Sequence, residues 1–148
     1  LTDHCKRGGR IFVSGAYVGS DLFNSPQLTP ADQFFATNTL HFKWRVGQAS
    51  STGQVRGIVS PYPAFDGTFE YYAEPNPDGY VVESPDGIEP ADESGHTVMR
   101  YAETRISAGV VYAGKYRTCI FGFPFESIKK ASDRDRIMQS VLGFLDEN

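Results

Sequence analysis

Histidine, cysteine and positive charge are all scarce in this 148-residue chain. Its three histidines, His4, His41 and His96, lie far apart and match no metal-ligand spacing, so no metal site is expected and each reads as a solvated or hydrogen-bonded side chain. Its two cysteines, Cys5 and Cys119, form neither a redox nor a zinc pattern. Cys119 falls within an apolar run and reads as a small buried hydrophobe, while a bridge to Cys5 is left open for an oxidising compartment. With 14 Lys and Arg against 18 Asp and Glu, the net charge is −4, and nucleic acid is not an expected partner. No apolar run reaches membrane-spanning length, and no charged-then-apolar leader precedes the first element. No repeat, low-complexity tract or cofactor motif is present, so no cofactor is expected.

What the chain does contain is the composition of one ordinary globular domain, 40% hydrophobic and long enough to bury a sizeable core. Residues 1–7 read as the last turns of a helix stopped by Gly8. The expectation is therefore a single domain over 1–148, or the C-terminal portion of one whose first strands lie before Leu1. Thr29-Pro30-Ala31-Asp32 opens a helix, with Thr29 as N-cap, Pro30 at the first helical position and Asp32 at the positive end of the dipole. That helix is expected to turn Phe34, Phe35 and Leu40 inward. Alternating or apolar runs predict strands at residues 10–14, 42–46, 54–60, 69–73, 80–83, 97–101, 106–113 and 117–121. Residues 74–79 and 84–90 read as polar turns, and the acidic run 86–93 as a solvated surface. The last helix is expected to start from Ser132 as N-cap, with Asp135 as its capping-box acceptor and Ile137, Met138, Val141, Leu142 and Leu145 as its core-facing stripe.

Two junctions carry the functional signal. Gly9-Arg10-Ile11-Phe12-Val13-Ser14-Gly15-Ala16-Tyr17-Val18-Gly19-Ser20-Asp21 and Tyr116-Arg117-Thr118-Cys119-Ile120-Phe121-Gly122-Phe123-Pro124-Phe125-Glu126 are each a short apolar run ending at glycine. Such runs read as buried strands leading into tight turns, and ligands of α/β sheets sit beyond the carboxyl ends of strands. Arg10–Ser14 and Arg117–Phe121 are expected to be parallel neighbours, with the last helix over one face.

With Glu83 to Pro90, Arg100-Tyr101 and Ser107 to Tyr112 added, these segments resemble the C-terminal portion of a class I glutamine-amidotransferase-like domain. The closer resemblance is to the version embedded in large secreted bacterial proteins of the xanthan lyase type. It implies a flavodoxin-like mixed sheet with flanking helices, incomplete at the N-terminus. It also implies an extracytoplasmic location and a parent protein acting on polysaccharide or cell-wall material. In active amidotransferases the turn after the first of these strands holds a cysteine between glycines, beside backbone N–H donors. Here Gly15-Ala16-Tyr17-Val18-Gly19 keeps the glycines and places Tyr17 at the centre. The partner His is missing from the second junction, which supplies only Glu126. The resemblance thus implies a module without amidotransferase catalysis, partnered by neighbouring domains of the same polypeptide.

The residues leave two rivals open. One is a hydrolase or lyase using Tyr17, Asp21 and Glu126 around a shared strand-end cleft, since a tyrosine of lowered pKa serves as a general acid or base. The other is a carbohydrate-binding module built on Tyr62, Phe65, Phe69, Tyr71, Tyr72 and Tyr80, of which strand alternation buries about half. Ser14, Ser20 and Asp21 are the candidate ligand-binding residues. The plainer reading of Ser14, Ser20 and Asp21 is that they hold the loop by local hydrogen bonds.

Overall fold

The computed structural model describes residues 1–147. A six-stranded mixed sheet runs in the order β1-β8-β7-β6-β3-β4, and a two-stranded ribbon pairs β2 with β5. In chain order the elements are α1 (Thr2–Lys6), β1 (Arg10–Ser14), α2 (Val18–Phe23), α3 (Pro30–Asn38), β2 (Phe42–Val46), β3 (Gln54–Gly57), β4 (Thr68–Glu70), β5 (Gly87–Pro90), β6 (Gly95–Tyr101), β7 (Ser107–Ala113), β8 (Arg117–Phe121) and α4 (Ala131–Asp146). As expected, β1 and β8 are parallel neighbours, with Arg10 opposite Arg117 and Ser14 opposite Phe121. The remaining pairs of the large sheet are antiparallel.

Strand alternation divides the interior into two cores. Cys119 and Phe121 of β8 face a core shared with Val111, Phe123, Ile137, Val141 and Phe144. Ile120 faces the other, with Cys5, Ile11, Ala36, Leu40, Phe42 and Ile88. Both thiols are therefore buried and free, on opposite sides of the sheet, and the bridge left open by the sequence is not formed. Burial pushes both thiols above their ordinary range.

Helix α3 starts as expected. Asp32 accepts hydrogen bonds from the Thr29 backbone N–H at 2.8 Å and from its hydroxyl at 2.9 Å, which satisfies the helix entrance. Ala36 and, just past the helix, Leu40 are buried, Phe35 packs partly buried against the same core as expected, and Phe34 is 64% exposed. Phe34 lies two residues before Ala36, about 200° away at 3.6 residues per turn, so it points to solvent.

Helix α4 corrects two further expectations. Its N-cap is Lys130, and Ser132 lies within the first turn and caps nothing. The Arg134 guanidinium instead ties the entrance together by donating to the Ile128 and Lys129 carbonyls. The buried face is Ile137, Ser140, Val141, Phe144 and Leu145, and Leu142 is 52% exposed. At 3.6 residues per turn Leu142 stands about 140° from Ile137 whereas Phe144 stands about 20° from it, so the aromatic takes the core position.

Three other segments differ from expectation. Residues 80–83 form no strand, β3 ends at Gly57, and the stretch read as a second polar turn contains β5. Strand β5 pairs with β2, placing Ile88 opposite Trp44, and its Gly87 and Ile88 are buried. Asp86, expected in a solvated acidic run, is fully buried. Of the six aromatics, Phe65, Phe69 and Tyr71 are core residues, which leaves Tyr62 and Tyr72 partly exposed and Tyr80 exposed. No helix of the described residues is long and apolar enough to cross a membrane.

Candidate functional site

Because β1 and β8 are parallel, their carboxyl ends emerge on the same side and their exit loops lie side by side. The Gly15 N–H donates to the Phe121 carbonyl at 3.3 Å, extending the ladder by one residue. The Ser14 hydroxyl accepts the Phe125 N–H at 3.2 Å, tying the second loop to the first. Between the loops opens a cleft of about 380 Å³ that Tyr17, Val18, Asp21, Tyr80, Pro124 and Glu126 help to line. The three residues singled out for a strand-end site, Tyr17, Asp21 and Glu126, thus converge on it. Ser14 and Ser20 hold loops instead, the Ser20 hydroxyl donating to the Tyr17 carbonyl at 3.4 Å.

Tyr17 is the N-cap of α2, 53% exposed, with φ −114° and ψ 11°. Its φ is negative, outside the left-handed region. The hydroxyl of Tyr80 donates to Glu126 Oε1 at 2.8 Å. Burial, then the Glu126 carboxylate beside it, pushes the Tyr80 phenol up to about 12, away from the value a general base needs.

Beneath the cleft lies a residue that sequence reading missed. Asp86 Oδ2 accepts the Gly19 and Ser20 backbone N–H groups, both at 2.8 Å, while Oδ1 accepts Trp44 Nε1–H at 3.1 Å. Its carbonyl accepts the Tyr101 hydroxyl at 2.7 Å, and its N–H donates to the Gly122 carbonyl at 2.8 Å. The positive end of α2 is thereby satisfied by an internal carboxylate. Burial pushes the Asp86 carboxyl above its ordinary range, against the pull of these N–H donors. Two glycines of the junctions owe their presence to this seat. A Cβ on Gly19 would lie 2.8 Å from Trp44 Cδ1, and one on Gly122 would collide with the Asp86 carbonyl.

Two more polar constellations stand apart from the cleft. His41, in the left-handed region at φ 62°, stacks on Tyr112 with ring centroids 3.6 Å apart. Its Nε2 lies 2.9 Å from the Tyr116 hydroxyl and its Nδ1 3.3 Å from Ser94 Oγ, which donates to Asp92. Burial pulls His41 below its ordinary value and the Asp92 carboxylate opposes it, while the contacts of its ring tie it to Ser94 on one side and Tyr116 on the other.

Glu103 is the second. It accepts the Ser50 hydroxyl at 2.5 Å, the Ser51 and Thr52 N–H groups at 2.6 and 3.1 Å, and the Ser51 hydroxyl at 3.0 Å. The Ser50 hydroxyl foremost, with these backbone donors, draws its carboxyl from 4.5 down to about 2. A depressed folded-state pKa contributes stability that is present above the unfolded value and lost as pH falls through the folded one. The urea midpoint of the native chain should therefore exceed that of Glu103→Gln at pH 6, and the gap should narrow from about pH 4.5 towards pH 2. A gap independent of pH over that window would contradict this assignment.

A depression of about 610 Å³ lies elsewhere, between β4 and the start of α4. It is bridged by the Lys129–Glu70 ion pair at 3.0 Å, and of the residues selected from sequence Phe69 lines it while Tyr17, Asp21 and Glu126 do not. Among the described residues no group of three or more His, Cys, Asp or Glu is placed to hold a metal ion.

No family model matches the chain, and no curated protein does. Among solved structures it is similar to an exo-β-1,4-mannosidase from Opitutaceae bacterium strain TAV5, at 12% identity and a TM-score of 0.48. The match covers 91% of this chain and 19% of the mannosidase.

Proposed function

We propose that this chain is a non-catalytic module of the flavodoxin-like, class I glutamine-amidotransferase-like type. It belongs, on this reading, to a larger extracytoplasmic protein of the xanthan lyase type acting on polysaccharide or cell-wall material, in which it packs against and positions a neighbouring domain. The lineage and location rest on the resemblance of the two junctions. Support for the missing chemistry comes above all from position 17, where a phenol stands in place of a thiol and the facing loop supplies Glu126 without a histidine. The end of α2 behind it is closed, since the Gly19 and Ser20 N–H groups are held by the buried Asp86 carboxylate.

The positioning role draws on the sheet edge. In β1, Ile11 and Val13 direct their backbone groups towards β8, so those of Phe12 and Ser14 face outward, and neither pair has a backbone partner among the described residues. An open, apolar edge free of Pro and Lys is a surface that strand pairing can extend.

The convergence of Tyr17, Asp21 and Glu126 favours one rival, a hydrolase or lyase at the same cleft. Purified chain and Tyr17→Phe should be compared for ammonia release from glutamine, for ester hydrolysis, and for reducing ends or unsaturated products from polysaccharides. Both proteins are expected to match the blank in every assay. Turnover by the native chain that falls in Tyr17→Phe or Glu126→Gln would establish the rival instead.

A further inference from the structure

We infer that the strand-end cleft and the depression beside it form one groove that binds a neutral pyranose oligosaccharide. The inference rests on the non-catalytic reading of the same cleft. The second depression, about 580 Å³, is lined by Tyr72, Asp78, Phe125, Glu126, Lys129 and Arg134 among others. Glu126 lines both, so the two depressions adjoin at this residue.

Aromatic rings stand along this path. Tyr17 and Tyr80 are 53% and 52% exposed, large apolar surfaces left in water. Tyr80 is exposed yet held. Its hydroxyl is tied to Glu126, and its loop is shaped by Asn76, whose Oδ1 accepts the Asp78 and Gly79 N–H groups at 2.9 and 2.8 Å. Tyr72 belongs to the same surface, since Gly79 rests against its ring and the Val82 N–H donates to its carbonyl at 2.8 Å.

The chemistry that fits rigid phenol rings interleaved with carboxylates is a ring with an apolar C–H face and a rim of hydroxyl donors. The face packs on the tyrosines, and the hydroxyls donate to Glu126 Oε2, Asp21 and Asp78, which as carboxylates only accept. Charge then selects among sugars. Lys129 is paired with Glu70 at 3.0 Å, and Arg134, whose Nη1 donates to the Ile128 and Lys129 carbonyls, keeps its charge. The carboxylates of Asp21, Asp78 and Glu126 outnumber it, so the net charge of the groove is negative, which disfavours a uronate-bearing chain and favours a neutral one.

Affinity electrophoresis of the native chain through gels containing a soluble β-1,4-glucan, β-1,4-mannan, starch or alginate tests this. At least one neutral polymer should retard the chain, and alginate should retard it less. The dissociation constant for that polymer should rise tenfold or more in Tyr80→Ala. It should also rise in Glu126→Gln, and stay unchanged in Gln139→Ala on the exposed face of α4. Circular dichroism of each variant confirms that loss of binding is not loss of fold. The inference is overturned if no neutral polymer retards the chain, if folded Tyr80→Ala binds as the native chain does, or if alginate binds best. The two readings fail separately. Binding with turnover removes the non-catalytic reading and leaves the groove, whereas neither binding nor turnover removes the groove alone.

Discussion

Replacing Asp86 by alanine is expected to cost about 3–5 kcal/mol of folding stability, the range for removing one partner of a buried charged network. The substitution leaves three buried or half-buried donors without an acceptor, the N–H groups of Gly19 and Ser20 and the indole N–H of Trp44. Asp86→Asn keeps one acceptor oxygen but turns an NH₂ towards groups that are themselves donors, so its loss should be smaller and still evident. Urea midpoints measure both. Trp44, the only tryptophan of the chain, supplies a local readout, since its Nε1–H contacts Asp86 directly. Its emission should shift in folded Asp86→Ala. An alanine variant of native stability and unchanged emission would mean that Asp86 does not hold α2, and would remove the main support for a sealed helix end.

The contrast between what sequence revealed and what it hid follows from the range of the interactions. Strands β1 and β8 were legible because each is a short apolar run between glycines, and their parallel pairing followed from the α/β pattern. The entrance to α3 was legible because Thr29 and Asp32 interact across a single turn. Tyr17, Asp21 and Glu126 could be named because they flank strand ends, where sheet folds gather ligands. Asp86 was hidden. Its N–H partners lie 66 and 67 residues away, and in sequence it sits among Pro, Asp, Gly and Glu, the composition of a turn. Glu103 was hidden for the same reason, being received by Ser50, Ser51 and Thr52 about fifty residues earlier. Strand β5 was misjudged because burial there depends on small Gly87 fitting against Ile106 and Val46, which periodicity does not record. The face of α4 was misjudged more locally, by weighting Leu142 over Phe144 in a stripe that centres on Ile137 and Val141.

The second large effect is expected at Phe123, which joins the candidate site to the core. Only two residues past the end of β8, its ring is fully buried and stacked on both Tyr71 and Phe121, with centroids 5.5 and 5.2 Å away. Phe69 and Tyr101 close around it at 5.7 and 6.5 Å. Phe123→Ala should cost about 3–5 kcal/mol, because four aromatic neighbours cannot collapse fully into the space and a cavity remains. Glu126 follows three residues later, so the same loss should loosen the loop that carries it. Amide hydrogen exchange at residues 124–128 is expected to quicken beyond what global destabilisation produces. Trp44 touches Asp86 and is not part of this stack, so its emission in the folded variant should stay as in the native chain. That pattern separates the two variants: Asp86→Ala alters the tryptophan and α2, whereas Phe123→Ala alters the Glu126 loop. If Phe123→Ala left the exchange of residues 124–128 unchanged relative to the rest of the chain, the loop would be held by Ser14 and the Pro124–Ser127 turn alone, and the aromatic stack would have no part in shaping the cleft.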